Sequence, residues 1–419
     1  MNNILFVSGS LSIIPKIEKY IKNGTLDQHK VFFAIEFFDK KVPNNLPMNC
    51  FPVKDFLDQI ELSEIGKLIL NRGDFSYVIA LDESSLYAAA DLRKRLGCRG
   101  PDKSELEKFR DKVVMKTSLI GSGVRTPKLY SRDDITNGNY ELPLIAKPKA
   151  YCGSIGVRLI QSQNEIYELL DFAPKPKPEA YDHSFSELAR DEIQYEEFIE
   201  GSIYQIDGLV LNGKIKFVVA SKYFNSCLDF INGHPVGSII VDDTNEQSSW
   251  AQFASDIIKT MKCPDGAFHL EAFLTPKRER VFLEIACRLP GGLTIDMLEL
   301  VLGVDLRLLH IQAQMGRLHK NFEPKKSNFI GGQLIFPMKY IDEGKIPGAH
   351  VRSIKLPNES KLTTLIWHKY PAVGSAAENE FAYEHNLGGF IFKGHDYFSV
   401  EQDIHRIVEE YHVEVIKND

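Results

Sequence analysis

Three short apolar runs, NILFVSGS, KVFFAIEFF and FSYVIALD, alternate with charged segments over the first hundred residues. Apolar runs of this length predict buried strands, and the segments between them, such as PKIEKYIK and FLDQIELSEIGKLILN, are typical of helices. Strands and helices in alternation predict a small parallel α/β unit over about residues 1–105. The segment SSLYAAADLRKRLG predicts a further helix with Gly97 as its C-cap.

The pattern then changes from alternating elements to a sheet-rich chain. The segment SELEKFRDKVVMKTSLIGSGV predicts one or two helices, with Ser104 as N-cap and Glu107 completing a capping box. Asn212-Gly213 lies between two β-rich runs and predicts a hairpin. Helical segments, SWAQFASDIIKTM and TIDMLELVLGVDLRLLHIQAQMG, flank the predicted strands AFHLEAFLT and ERVFLEIACRL. The tract APKPKPEA predicts a surface loop, and a further β-rich region ends in a helix over VEQDIHRIVEEYH.

Composition is that of an ordinary globular protein. The 419 residues are 43% hydrophobic and 26% charged, enough for two to four compact units. A formal charge of −7 and a pI near 6.0 argue against nucleic acid or an anionic membrane as the main partner. The start, MNNILFVSGSL, predicts a first strand and not a signal peptide. Six dispersed cysteines without a C-x-x-C pair predict neither a zinc site nor a disulfide framework, and they favour a reducing cytoplasm.

The segment AKPKAYCGSIGV ends an apolar run in Lys147 and then enters a turn with two glycines, Gly153 and Gly156. Glycines let a backbone approach a ligand closely, and such turns with a nearby lysine commonly bind phosphate. A plain hairpin with an exposed lysine explains this segment equally well when it is considered alone.

Two glutamates lie among apolar residues on predicted neighbouring strands: Glu271 in HLEAFL and Glu284 in VFLEIACRL. Two carboxylates on adjacent antiparallel strands can converge on one hard cation, for which magnesium with bound phosphate is suited. The alternative is two glutamates on the solvated face of an amphipathic hairpin.

Two further motifs carry candidate binding groups. Arg288 precedes the glycine turn LPGG and is suited to gripping a carboxylate or phosphate, or to a salt bridge with Glu284 or another local acid. In EEFIEG, residues 196–201, Phe198 and Ile199 can pack against a planar base, or the segment is an edge strand entering a turn. The chain lacks a P-loop, a dinucleotide fingerprint, a G-x-S-x-G elbow and an H-E-x-x-H pair, which excludes those enzyme classes.

In this order, the motifs RDKVVMKTSLIGSGVRTPKLY, LPLIAKPKAYCGSIGV, QYEEFIEG, FHLEAFLT and VFLEIACRLPGG resemble the ATP-grasp superfamily. The resemblance is greatest to its carboxylate–amine ligases, which include the L-amino-acid (dipeptide) ligases. It implies an α/β fold, α+β in the later domains, with a parallel N-terminal domain, a glycine-lid subdomain and a large β-rich C-terminal portion. The implied divisions are an N-terminal domain at 1–110, a flap subdomain at 111–190, a nucleotide- and metal-binding subdomain at 191–320 and a C-terminal subdomain at 321–419.

The resemblance also implies roles for individual residues. Lys112 and Lys147 would bind the nucleotide phosphates, under a flap formed by Gly153, Ser154 and Gly156. Glu271 and Glu284 would hold Mg²⁺, or Mn²⁺ in its place, and Arg288 would bind the acyl-phosphate or the substrate carboxylate. Lys147 would share in catalysis with Arg288. The adenine would be held by the segment EEFIEG, called the hinge below. The Glu196 side chain would lie at the adenine amino group, and the Glu197 and Ile199 backbones would lie at the ring edge, with Phe198 between them.

Two positions depart from the family pattern. Ala286 stands where many relatives have a metal-binding asparagine, and Ile203 stands where an acid often holds the ribose, with Asp207 as the nearest substitute. The implied reaction is ATP-dependent activation of a carboxylate as an acyl-phosphate, followed by amide formation with an amine, with amino acids as the expected substrates and a homodimer as a possible assembly. A bicarbonate-using carboxylase, a purine-pathway enzyme and a non-catalytic nucleotide-binding scaffold are the alternatives. The sequence identifies neither the individual substrates nor a general base.

Overall fold

The computed structural model describes residues 3–26, 30–37, 41–149, 154, 156–171, 193–318, 322, 327–338, 349–377 and 386–417. These residues form four sheets flanked by helices. Among them, no helix combines the length and the apolar character that crossing a membrane requires. The predicted surface loop APKPKPEA and the flap residue Gly153 lie outside the described residues.

The N-terminal unit is a four-stranded parallel sheet in the order β3-β2-β1-β4, which confirms the predicted parallel α/β unit. Its strands are β1 (Asn3–Ser8), β2 (Val31–Glu36), β3 (Cys50–Val53) and β4 (Phe75–Ala80). Its helices are α1 (Ile13–Lys22), α2 (Gln59–Leu70) and α3 (Ser85–Leu96), the last ending at Gly97 in the left-handed conformation as predicted. The chain reverses its direction across the sheet between β1 and β4, so a crevice opens at the carboxyl ends of these two strands.

Two short helices connect this unit to the next: α4 (Lys103–Glu107) and α5 (Lys112–Thr117). The predicted capping box is wrong in its residues, because Asp102 and not Ser104 is the N-cap of α4. Asp102 has an extended backbone and accepts from the N–H of Glu105, whose side chain completes the box in place of Glu107. Asp111 caps α5 in the same manner.

A small antiparallel sheet in the order β5-β8-β6-β7 follows. It consists of β5 (Leu129–Tyr130), β6 (Leu144–Pro148), β7 (Arg158–Ile160) and β8 (Ile193–Glu197), with α6 (Arg132–Thr136) and α7 (Gln163–Asp171) beside it. The glycine turn connects β6 to β7. Lys147 therefore lies at the end of a buried strand, immediately before that turn.

The largest sheet has eight antiparallel strands in the order β13-β12-β9-β10-β11-β14-β17-β16. These are β9 (Ser202–Leu211), β10 (Lys214–Phe224), β11 (Val236–Ile240), β12 (Gly266–Leu274), β13 (Arg280–Ala286), β14 (Ile330–Phe336), β16 (Leu365–Lys369) and β17 (Gly388–Gly394). The predicted hairpin at Asn212-Gly213 is confirmed: both residues have positive φ, as a tight turn between twisted strands requires.

Helices cover this sheet and complete the core. They are α8 (Cys227–Ile231), α9 (Thr244–Met261), α10 (Thr294–Met297), α11 (Leu306–Gln314) and α12 (Tyr397–Glu410). A π-helical turn (Leu298–Leu302) and Gly303 in the left-handed conformation divide the segment predicted as one long helix into α10 and α11. A two-stranded sheet of β15 (Ala349–Lys355) and β18 (His412–Lys417) lies beside α12.

The sheets join segments on both sides of the implied subdomain boundaries. Strand β8, which follows position 190, pairs with β5 and β6 in the small sheet, and β14, β16 and β17, which follow position 320, continue the large sheet. The four divisions stay a prediction, and the sheets give a different grouping of the strands.

Candidate active site

A small cleft opens where the N-terminal unit, α5 and β13 meet. Its charged lining consists of Glu83, Arg110, Lys112, His269, Glu284 and Arg288. No single sequence motif contains all six, because they come from the N-terminal unit, from the helical connection, from β12 and from β13 with the turn that follows it. A cleft lined by charges of both signs is complementary to a ligand that carries both a positive and a negative charge.

Glu271 and Glu284 are direct cross-strand partners on β12 and β13. Directly paired residues project from the same face of a sheet, so the geometric premise of the sequence analysis is confirmed. The Tyr223 hydroxyl donates to Oε1 of Glu271 at 2.6 Å, which fixes that carboxylate.

The donor set at this pair fits magnesium. Among the described residues no cluster of three or more His, Cys, Asp or Glu side chains could hold a metal ion. Two carboxylates supplemented by phosphate oxygens and water are an ordinary environment for Mg²⁺. Its binding here stays a prediction.

Lys112, the first residue of α5, lies with its Nζ 3.3 Å from Oε2 of Glu284. Burial alone would raise the pKa of Glu284, but Lys112 and the nearby Lys147 and Lys116 lower it well below its usual range. This lysine predicted to bind phosphate is therefore held beside the carboxylate predicted to bind metal. A phosphate–metal complex would present the complementary charge to each.

Glu196 lies between two lysines. Its Oε1 is 2.9 Å from Nζ of Lys116 and 3.0 Å from Nζ of Lys147, and all three side chains are buried. The Gln194 side chain donates to the same oxygen. Lys147 is thus held inside the protein and not exposed on a plain hairpin. The role predicted for Glu196 at the adenine stays a prediction, and its partners in the structure are these two lysines.

The sequence analysis missed Lys116. The available signal was its position four residues after Lys112 on a predicted helix, which places both lysines on one face. Burial is the largest influence on the pKa of Lys116 and lowers it to about 8, against the opposing effect of Glu196.

The hinge segment after β8 is ordered by Arg125. The two nitrogen–oxygen distances from the Arg125 guanidinium to the Glu197 carboxylate are 2.6 and 2.8 Å. The N–H of Glu197 donates to the carbonyl of Lys128 at 2.9 Å, and contact of the Glu197 and Ile199 backbones with an adenine ring stays a prediction. Phe198 is 39% exposed and Ile199 is buried, which leaves one ring available for stacking.

The described part of the flap has the left-handed backbone that glycine favours. Gly156 has φ +70°, and a Cβ at this position would lie 3.0 Å from Cγ of Pro148. Ser154 has φ +57°. Gly156 therefore lies close against Pro148, the last residue of β6.

Arg288 pairs with Glu83 of the N-terminal unit, with Nε 2.9 Å from Oε2. Arg110 approaches the other oxygen of Glu83, with a nitrogen–oxygen distance of 3.2 Å. The loop that carries Glu83 is fixed by Asp82, which accepts from the Ser8 hydroxyl at 2.6 Å and the Gly9 N–H at 2.9 Å. The salt bridge of Arg288 is therefore made across a domain junction and not with its local acid Glu284.

Asp207 does not substitute for the missing ribose ligand, and this suggestion is corrected. Asp207 is fully buried on β9, and its Oδ1 lies 2.7 Å from Nδ1 of His269. Burial opposes protonation of His269, but Asp207 outweighs it and raises the pKa of His269 to about 9. His269 was missed by the sequence analysis, although it stands two positions before Glu271 on the same face. It is the cross-strand partner of Ala286, and both residues line the cleft.

Comparison with known proteins shows which proteins this chain is similar to. The ATP-grasp domain model matches residues 140–296. The chain is 26% identical to the alanine–anticapsin ligase of Bacillus subtilis over 331 residues, 72% of this chain and 69% of that protein. It is also 26% identical to an L-arginine-specific L-amino acid ligase of Bacillus subtilis over 259 residues, 61% of each.

The solved structure of an L-amino acid ligase from Bacillus licheniformis superimposes with a TM-score of 0.76 at 17% identity, over 100% of this chain and 99% of that one. This likeness confirms the predicted fold class. The domain match includes the glycine turn, the hinge and both glutamates, whose predicted roles stay predictions. Residues 140–296 therefore match an ATP-grasp domain, and the chain is similar to amino acid ligases of the carboxylate–amine type.

Proposed function

We propose that this protein joins the carboxylate of one amino acid to the amine of another, with ATP converted to ADP and phosphate. The observation that carries the proposal is the ion pair of Glu83 and Arg288 in the cleft, beside Glu284. A zwitterionic amino acid can enter between these two side chains, with its ammonium at Glu83 and its carboxylate at Arg288. Each partly buried charge then exchanges one partner for another of the same sign, so no charge is left unpaired.

The chemistry has two displacements. A carboxylate oxygen attacks the γ-phosphorus of ATP in line and ADP leaves, which gives an acyl-phosphate. The amine nitrogen then attacks the acyl carbon, phosphate leaves with the electron pair of the broken C–O bond, and the amine loses its proton. We assign Lys112, Lys147 and Arg288 to neutralising the charge on the transferring phosphoryl group.

Glu271 and Glu284 would hold the magnesium ion, which when bound supplies charge neutralisation at the β- and γ-phosphates. The chain's own contribution is positioning. Tyr223 orients Glu271 at 2.6 Å, and Lys112 orients Glu284 at 3.3 Å. The glycine turn after β6 would cover the phosphates and exclude water, which otherwise hydrolyses an acyl-phosphate.

We further propose that the protein acts in the cytoplasm on free amino acids. All five cysteines that the structure describes are free thiols, a state that a reducing compartment maintains. A homodimer stays a prediction.

Phosphate release in the presence of single and paired amino acids tests this function, with the amide product identified by mass spectrometry. We expect release that depends on a pair of amino acids, and its loss in Arg288→Met. The matched control is Arg352→Met, at a largely exposed arginine of β15 whose partner is Glu414. ATP cleavage that requires bicarbonate and no amine would instead assign a carboxylase. Tight nucleotide binding without turnover for any pair would assign a scaffold.

A further inference from the structure

Lys116 is among the most completely buried charged side chains of the described chain, with a side-chain exposure of 1%. It lies near the end of α5, and its Nζ is 2.9 Å from Oε1 of Glu196. A lysine is rarely buried to this extent unless a specific counter-charge requires it there. Lys116 lies in the segment RDKVVMKTSLIGSGVRTPKLY, but the resemblance assigns a role only to Lys112 there.

The arrangement has more cations than its carboxylate needs. Lys147 also lies within 3.0 Å of Oε1 of Glu196, so one buried carboxylate has two lysine partners. If Lys147 were the only partner, moving it to a nucleotide phosphate would leave Glu196 buried without a counter-charge, which is strongly unfavourable. With Lys116 in place, Lys147 can leave Glu196 and the carboxylate stays neutralised.

The two lysines differ in where they lie. Lys147 is the penultimate residue of β6, shortly before the glycine turn, which is the side from which phosphate would approach. Lys116 comes from α5, one helical turn beyond Lys112, and its Nζ has no solvent contact. Lys116 is therefore the partner that stays, and Lys147 the partner that moves.

We propose that Lys116 is a positioning residue, which holds a permanent counter-charge at Glu196 and so allows Lys147 to transfer from Glu196 to a nucleotide phosphate. This inference rests on the proposed nucleotide-dependent function. It predicts that removing Lys116 weakens nucleotide binding through Glu196, and that removing the Glu196 charge as well restores it.

The test is calorimetric titration with MgADP, together with the KM for ATP, on Lys116→Met, Glu196→Gln and the double variant. We expect Lys116→Met to raise the Kd at least 10-fold, and the double variant to bind within about 3-fold of Glu196→Gln alone. Lys116→Arg keeps the charge and is expected to bind within about 3-fold of wild type. The control is Lys108→Met, at a partly buried lysine between α4 and α5, which is expected to bind as wild type does.

Two results would overturn the inference while leaving the proposed function intact. One is that the wild-type protein binds MgADP and Lys116→Met binds it with the same Kd. The other is a double variant that binds no better than Lys116→Met, because Lys116 would then act on the nucleotide directly. If Lys116→Met does not fold, the Kd of the double variant is compared with that of Glu196→Gln. Equal Kd values would support the inference, and weaker binding by the double variant would contradict it. A wild-type protein that does not bind MgADP would overturn the proposed function, and this inference with it.

Discussion

His310 on α11 connects the N-terminal unit to the large sheet, and this contact makes the stability of the protein sensitive to acid. The imidazole is 2% exposed. The N–H of Ala267 on β12 donates to its Nδ1 at 2.8 Å, and its Nε2 lies 2.8 Å from the carbonyl of Ala80 at the end of β4. These partners require the neutral tautomer with its proton on Nε2, since a proton on Nδ1 would oppose the Ala267 N–H.

The magnitude follows from the pKa. Burial is the main cause that lowers the pKa of His310 from 6.5 to about 4. Between these two values the unfolded chain binds a proton that the folded chain does not, so the free energy of unfolding decreases as the pH falls. Linkage gives a loss of about 2 kcal/mol between pH 7 and pH 5, and about 3 kcal/mol once the pH is below 4.

The assay is urea unfolding followed by far-ultraviolet circular dichroism at pH 7 and pH 5. His310→Gln removes the titrating group, so its unfolding free energy is expected to fall by about 2 kcal/mol less than that of wild type over this interval. His412→Gln, at an exposed histidine of β18, is the control and is expected to keep the wild-type pH dependence. Parallel losses in wild type and His310→Gln would refute the reasoning.

Three further substitutions test the site and the packing around it. Glu284→Gln is expected to lower the kcat of amino-acid-dependent phosphate release by about 100-fold or more, and excess Mg²⁺ is not expected to restore it. Gly208→Ala would place its Cβ 2.5 Å from ring carbons of Phe268 and is expected to lower the unfolding free energy in urea by about 1–3 kcal/mol. Gly156→Ala is expected to increase phosphate released per amide formed, whereas Gly138→Ala, also at positive φ but in open space, is expected to leave this ratio unchanged.

The parts of the fold that the sequence analysis predicted correctly are those that depend on local sequence patterns. Apolar runs separated by helical segments indicate a parallel sheet without any knowledge of long-range contacts, and Asn212-Gly213 determines its hairpin because few other residues tolerate positive φ twice in succession. The pairing of Glu271 with Glu284 was predictable for the same reason, since a short turn joins their strands. At α4 two capping residues stand two positions apart, Asp102 and Ser104, and Asp102 is the N-cap.

The missed parts of the site depend on contacts between distant segments. Glu83 and Arg288 are 205 positions apart, and no periodicity or spacing relates them. Asp207 was misjudged because a carboxylate on a strand is usually exposed, whereas this one is fully buried against His269. Such pairings become visible only when the strand order is known.

The position of His310 connects the stability of the domain junction with the chemistry of the cleft. Ala80, one of its partners, lies three residues before Glu83, and Ala267, the other, lies two residues before His269. One imidazole therefore holds both chain segments that enter the cleft from opposite sides, and it does so only while it is neutral. The ion pair of Glu83 with Arg288 requires these segments to stay in register, because a shift of an ångström separates a pair that is now at 2.9 Å. The cleft therefore depends on the interface between the N-terminal unit and the large sheet, since neither of them alone contains both charges that a zwitterion needs.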